Sequence, residues 1–209
     1  EDLEGVLDHA RGEFMGVPVV VYAHGIGALI EMLRLLDRGG VDTGVRGSLI
    51  ASPLLSFSSA PPLLDRMRRL MLQRTAPRVT LSAPFDVAVL CRDQEAADAR
   101  SFDRRCDVDV SAGWRRALKE TMREVRDGIS RLRAASLWLV PTGDHLADFR
   151  ATLRSFERLQ NPRRDAQSIH CFDGAAHELH NEPAPLRREV FDICVLWIER
   201  RCEIASPPS

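Results

Sequence analysis

Ala23-His24-Gly25-Ile26-Gly27 stands between a β-branched apolar run, Val17 to Ala23, and an apolar stretch that reads as a helix, Ala28 to Asp37. A strand–turn–helix with small residues at the outer turn positions is a seat for a nucleophile. Close packing of strand on helix demands the small residues, and the strained centre lifts a hydroxyl clear of the sheet. Ala23 and Gly27 are small, but the centre is Gly25, which has no hydroxyl. Asp144 follows the apolar run Ser136 to Val140, and His177 follows Gln167 to Phe172. Nucleophile position, acid, histidine is a working order for acyl transfer: the carboxylate orients the imidazole, and the imidazole acts as general base. The residue after the nucleophile position, Ile26, is the expected backbone N–H donor to an oxyanion. Chemistry of this kind uses no cofactor, and none is expected. Asp144 and His177 are expected to be hydrogen-bonded beside Gly25.

Other chemistries fit these residues less well. Gly25-Ile26-Gly27 fails as a dinucleotide fingerprint, because the third glycine would fall at Ile30 and no acidic residue closes the next strand near Ser52. His170, His177 and His180 do not make a metal site by pattern, since His177-Glu178-Leu179-His180 is one residue short of H-E-x-x-H. No metal is expected. Gly25 itself suits a strained turn, where glycine escapes a Cβ penalty, and exchanging serine for glycine there relieves strain of about 1–3 kcal/mol. Natural loss of the nucleophile fits better than an engineered knock-out, for which alanine is the commoner choice. His24 is expected to pack under the elbow.

The elements that must position these groups follow from periodicity. Residues 1–13 carry Leu3, Val6, Leu7 and Ala10 at helical spacing. Strand 17–23 reads as buried on both faces and central in a parallel sheet. The helix after it is apolar nearly all round, with Glu31, Arg34 and Arg38 on one narrow face, and stops at Gly39-Gly40. Val45 to Ser52 is the next strand, so the three form a βαβ crossover. From Phe57 to about Arg133 strand signals give way to an all-helical insert. Its helix at 62–74 sets Leu63, Met67, Leu70 and Met71 opposite Arg66, Arg68, Arg69 and Arg74, as expected of a cap helix packed on its own domain with a solvated arginine face. The strand at 136–140, a helix at 147–160, the strand at 167–172 and a helix at 185–204 complete an α/β domain. Its parts are 1–56 (sheet and elbow), 57–115 (helical cap) and 116–205 (sheet and helices).

Composition narrows the function class. Of 209 residues, 44% are hydrophobic and 28% charged, which supports a sizeable core and excludes disorder for most of the chain. A net charge of −1 argues against a nucleic-acid partner. No apolar run of the length needed to span a membrane occurs. The 5 cysteines form no CxxC pair, which fits free thiols in a reducing intracellular compartment.

Five segments in order resemble the monoacylglycerol lipase and lysophospholipase group of α/β-hydrolases, also called serine aminopeptidase-like hydrolases. The group's G-H-S-M-G-G elbow corresponds to residues 23–28, and its strand ending in Ala-Ser-Pro to 45–55. Its cap segment S-R-D-P-E corresponds to Cys91-Arg92-Asp93-Gln94-Glu95, with Asp103 beyond. Its triad aspartate corresponds to Asp144, and its H-E-x-x-N-E segment to His177-Glu178-Leu179-His180-Asn181-Glu182. The resemblance implies a mostly parallel sheet with a cap and serine attack on an acyl-glycerol or lysophospholipid ester, the activity of a carboxylic-ester hydrolase. It also implies a lipid or acyl ligand under the cap. Two departures stand out: Gly25 replaces the nucleophile serine, and the family's N-terminal strands do not occur in these residues. Another polypeptide segment or subunit is therefore expected to pair with strand 17–23, whose bare edge would otherwise invite aggregation.

Overall fold

The computed structural model describes residues 2–42, 44–59, 63–81, 90–102, 109–159 and 166–203. Helix α1 (Asp2–Glu13) leads to strand β1 (Val20–His24), helix α2 (Ile26–Asp37) and strand β2 (Gly47–Ala51). The insert follows: helix α3 (Leu63–Thr75), strand β3 (Thr80–Leu81), helix α4 (Gln94–Phe102) and strand β4 (Val110–Ser111). Helix α5 (Ala112–Gly128), strand β5 (Ser136–Pro141), helix α6 (Phe149–Glu157), strand β6 (Gln167–Phe172) and helix α7 (Ala184–Glu203) complete the order.

The main sheet runs β1-β2-β5-β6, all parallel, with His24 beside Ala51 and Ala51 beside Leu139. Parallel pairing needs crossovers, and α2, the insert with α5, and α6 supply them. Both faces are covered. Ile50, Trp138 and Val140 point into a core with Leu29, Met32 and Leu36 of α2 and Met122 and Val125 of α5. The alternate residues Leu49, Ala51, Leu137 and Leu139 meet Phe172 and, from α7, Val190 and Cys194. Side-chain caps start three helices among the described residues: Asp93 Oδ1 accepts the Ala96 N–H, Ser111 Oγ the Trp114 N–H and Asp148 Oδ1 the Arg150 N–H.

Three expectations are corrected. First, β1 is an edge strand among the described residues, beginning at Val20, with Tyr22 44% exposed. An apolar run signals two apolar faces, and says nothing of which strands flank it. Helix α2 is largely buried, and its Glu31 and Arg34 are buried with it, at 0% and 7% exposure. Ser48, Asp42 and Glu4 of α1 fold over them, and Arg34 bonds Glu31, Glu4 and Asp42 together. Second, the insert is not all helical: β3 and β4 pair antiparallel, Thr80 with Ser111 and Leu81 with Val110. Third, Met67, Leu70 and Met71 of α3 are each more than half exposed, so these three side chains are not packed on the domain. The side chains of Leu63, Arg66, Arg68 and Arg69, and all of Asp103, lie outside the described residues. The division expected between 115 and 116 falls inside α5, whose Leu118, Met122 and Val125 belong to the core around α2.

Candidate active site

Gly25 is the single residue between β1 and α2, with φ 57° and ψ −116°. That positive φ favours glycine. Its N–H donates to Ala51 O at 3.0 Å, and its carbonyl accepts from Leu54 N–H at 3.2 Å. The end of β2 therefore fixes the turn. Ile26 and Gly27 open α2, where N–H groups have no intrahelical acceptor, and Gly25 offers no side-chain cap.

Asp144 sits just past β5. Its Oδ1 accepts from the N–H groups of Leu146 and Ala147 at 2.8 and 2.9 Å, and its Oδ2 is 2.7 Å from His177 Nδ1. Both residues are buried, at 7% and 4% exposure. With one carboxylate oxygen fixed by two backbone donors, the other holds the Nδ1–H tautomer and turns Nε2 toward the elbow. A Cβ on Gly25 would stand 3.1 Å from Nε2 and 3.7 Å from Cε1. The chain thus brings Gly25, Ile26, Asp144 and His177 together, in a geometry suited to general-base transfer from a hydroxyl at position 25.

The carbonyl of His177 is also held. Ser52 Oγ donates to it at 2.6 Å and His24 Nε2 at 3.1 Å. His24 lies beside the elbow, its ring edge-on to His177 and His180 at centroid distances of 4.7 and 5.0 Å. Ser52 is the one non-glycine residue at positive φ, 46°, among the described residues. Burial, reinforced by His177, pushes His24 down to about 4. The ring is therefore neutral near pH 7 and donates as Nε2–H. Burial lowers His180 as well.

A pH dependence of stability follows. The unfolded chain protonates His24 near pH 6.5 while the folded chain resists to about 4, so the unfolded state binds more protons between those values. Stability is expected to be flat in this respect above pH 6.5 and to fall as pH drops toward 4, by about 3 kcal/mol from His24. Glu4, held down to about 2 chiefly by Arg38, adds a loss of the same sign only below pH 4.5. Urea unfolding at steps between pH 7.5 and 4.5 measures the slope, and His24→Asn should flatten it.

Sequence reasoning missed the partners that tie the histidine loop to the insert. Glu182, fully buried, accepts from the Ala176 N–H at 3.1 Å, the Arg92 N–H at 3.3 Å and Arg92 Nε at 2.5 Å. Glu178 pairs with Arg100 of α4, and its N–H donates to Leu90 O at 2.7 Å. The two segments stand out in the sequence separately, but no spacing links residues 90 positions apart. His170 is directed elsewhere, 3.7 Å from Glu189.

Elbow, acid and histidine, each at the carboxyl end of a parallel strand and in that chain order, are the arrangement of the α/β-hydrolases, and this chain has that fold. The family model for serine aminopeptidase, S33, matches residues 1–184, and the chain belongs to that family. Human monoglyceride lipase is 23% identical over 207 residues, covering 97% of this chain and 66% of the relative. A monoglyceride lipase homolog of monkeypox virus is 24% identical over 197 residues, covering 91% and 66%. Among solved structures, the monoacylglycerol lipase of Paleococcus ferrophilus superposes with a TM-score of 0.80 at 22% identity, over 95% of this chain and 73% of that one. The chain thus spans about two thirds of the length of the curated relatives it matches. Among the described residues no helix is long and apolar enough to cross a membrane.

Proposed function

We propose that this protein is a monoacylglycerol-lipase-like hydrolase fold that forms no acyl-enzyme and acts as a binding or structural subunit in an assembly. The observation that carries the reading is Gly25, which holds the elbow backbone at φ 57° and ψ −116° and faces His177 Nε2 with no hydroxyl to give it. In the ancestral reaction a serine there attacks an acyl-glycerol or lysophospholipid ester. His177 takes its proton, Asp144 orients the imidazole, and the Ile26 N–H receives the oxyanion. Without the nucleophile, binding and oxyanion contacts alone leave about 10³–10⁴ over water.

The insert at 57–115 is the cap in this reading, and a lipid or acyl ligand binds beneath it. A strand from another segment or subunit pairs with the outer edge of β1 and covers Tyr22. Slow amide exchange across Val20–His24 in the assembled protein, and fast exchange when β1 has no neighbour, is the expected outcome. Free thiols at Cys91, Cys171, Cys194 and Cys202 fit a reducing compartment.

The test of the functional reading is turnover of a monoacylglycerol by the native protein against His177→Ala. Equal rates are expected, and a native rate tenfold above the variant contradicts it. The 2.7 Å contact of Asp144 with His177 favours a second reading, an active serine ester hydrolase whose nucleophile was changed to glycine. A serine codon at position 25 of the gene decides for that one.

A further inference from the structure

We infer that the insert positions the Asp144–His177 pair, with Glu182 as the positioning residue that ties it to His177. It does so whether or not position 25 ever held a serine. Two stretches of the insert are fastened to the loops that carry the pair. Where the insert leaves the sheet, Phe57 forms an antiparallel bridge with Ala147, and the Asp148 N–H donates to Ser56 O at 2.9 Å. The Ser58 N–H donates to Leu146 O at 2.9 Å, and Ser58 Oγ donates to His145 O. Those two carbonyls belong to the same peptide groups whose N–H donors, at Leu146 and Ala147, hold Asp144 Oδ1. The insert therefore grips the two peptides that grip the carboxylate, and hydrogen bonds in such a chain reinforce one another.

The second stretch, residues 90–100, brackets His177. The residue before it, Ala176, donates its N–H to Glu182 Oε1 at 3.1 Å. The residue after it, Glu178, donates its N–H to Leu90 O at 2.7 Å. Glu182 also takes the N–H and the Nε of Arg92, and the Glu178 carboxylate pairs with Arg100 of α4. One carboxylate thus serves the histidine loop and the insert at once. Glu182 is fully buried, so the Arg92 guanidinium is the counter-charge that lets it stay ionised there. The acid and histidine loops meet in the 2.7 Å bond of Asp144 to His177. A closed circuit results: insert, acid loop, Asp144, His177, histidine loop and insert again. Displacement of the insert acts on the Nδ1–H bond to Asp144, and so on the direction of Nε2 at the elbow.

The experiment follows exchange of the His177 Nδ1 proton with water by NMR, in the full native chain and in Glu182→Gln and Arg92→Gln. Thermal unfolding confirms that each variant folds. Glutamine at 182 keeps an oxygen for the Ala176 N–H but sets its amide N–H groups against the Arg92 guanidinium, so the histidine loop keeps its own bond and loses the insert. Exchange roughly tenfold faster is expected in both variants, the loss of one charge-assisted hydrogen bond expressed as local opening. The backbone amides of β5 are expected to keep their native exchange rates. A merely structural role would speed both sets in proportion. Should Glu182→Gln fail to fold, Arg92→Gln decides, because the Arg92 side chain is half exposed. Nδ1 exchange unchanged in the folded variants, or raised in step with the β5 amides, overturns the inference. Neither result bears on the lost-nucleophile reading, which fails on native turnover dependent on His177.

Discussion

Gly25→Ser is expected to turn a protein inert to a fluorophosphonate into one labelled once, at position 25. The elbow backbone already has the conformation such a serine needs, and its Cβ would stand 3.1 Å from His177 Nε2. That is a tight contact, so the imidazole must give by a few tenths of an ångström. Ser52 and His24 hold the His177 carbonyl, and Asp144 holds its Nδ1, so the ring can yield at Nε2 only by a small tilt about that bond. Asp144 then supplies the orientation that makes the serine reactive. The labelling rate is expected to rise by about 10³-fold or more over the native protein and to collapse when His177→Ala is added. Mass spectrometry of the modified peptide reads both results. Labelling of Gly25→Ser that ignores the second substitution would show that His177 does not serve position 25.

The largest expected loss of stability lies away from the site, at Glu31. Its carboxylate is fully buried and takes Arg34 Nε at 2.6 Å, Arg34 Nη2 at 2.9 Å and the Ser48 hydroxyl at 2.6 Å. Glu31→Ala leaves a buried guanidinium short of a partner and a buried hydroxyl without its acceptor. The cost is expected near 3 kcal/mol, toward the lower end of the range for breaking a buried pair, because Arg34 keeps Asp42 and Glu4. Replacing both members, Glu31→Leu with Arg34→Met, is expected to recover most of that, since two apolar side chains of similar volume need no compensation. Urea unfolding of the three variants checks the pattern. A single variant within 1 kcal/mol of the native protein, on the scale of an exposed pair, would mean the pair is not buried in solution.

Glu31 shows where sequence reading stops. Charged residues three apart on an apolar helix normally mark the wet side. Here the covering groups, Glu4, Asp42 and Ser48, come from three other segments, and their approach is a tertiary event with no local signal. Strand β6 was legible to the residue, Gln167 to Phe172, and β5 missed only Pro141, because turn residues follow both, and β5 is besides an apolar run. Helix α2 begins at Ile26, before its apolar pattern is readable, because Gly25 turns the chain in a single residue. The β3–β4 pair, two residues on each strand, is too short for periodicity to reveal. At the site, the order of Gly25, Asp144 and His177 was legible because each follows a strand. Ser52, Arg92 and Arg100 were not, since their roles are contacts made across the fold.

With glycine in the nucleophile's seat, the proposed function requires that no covalent acyl intermediate form on this protein. Intact-mass measurement after rapid acid quenching from an excess of p-nitrophenyl decanoate tests it most directly, with Gly25→Ser measured alongside. The account predicts an unmodified native mass at every quench time and one transient acyl group on Gly25→Ser. A transient acyl adduct on the native protein that depends on His177 would contradict it, for it would reveal another nucleophile served by the Asp144–His177 pair.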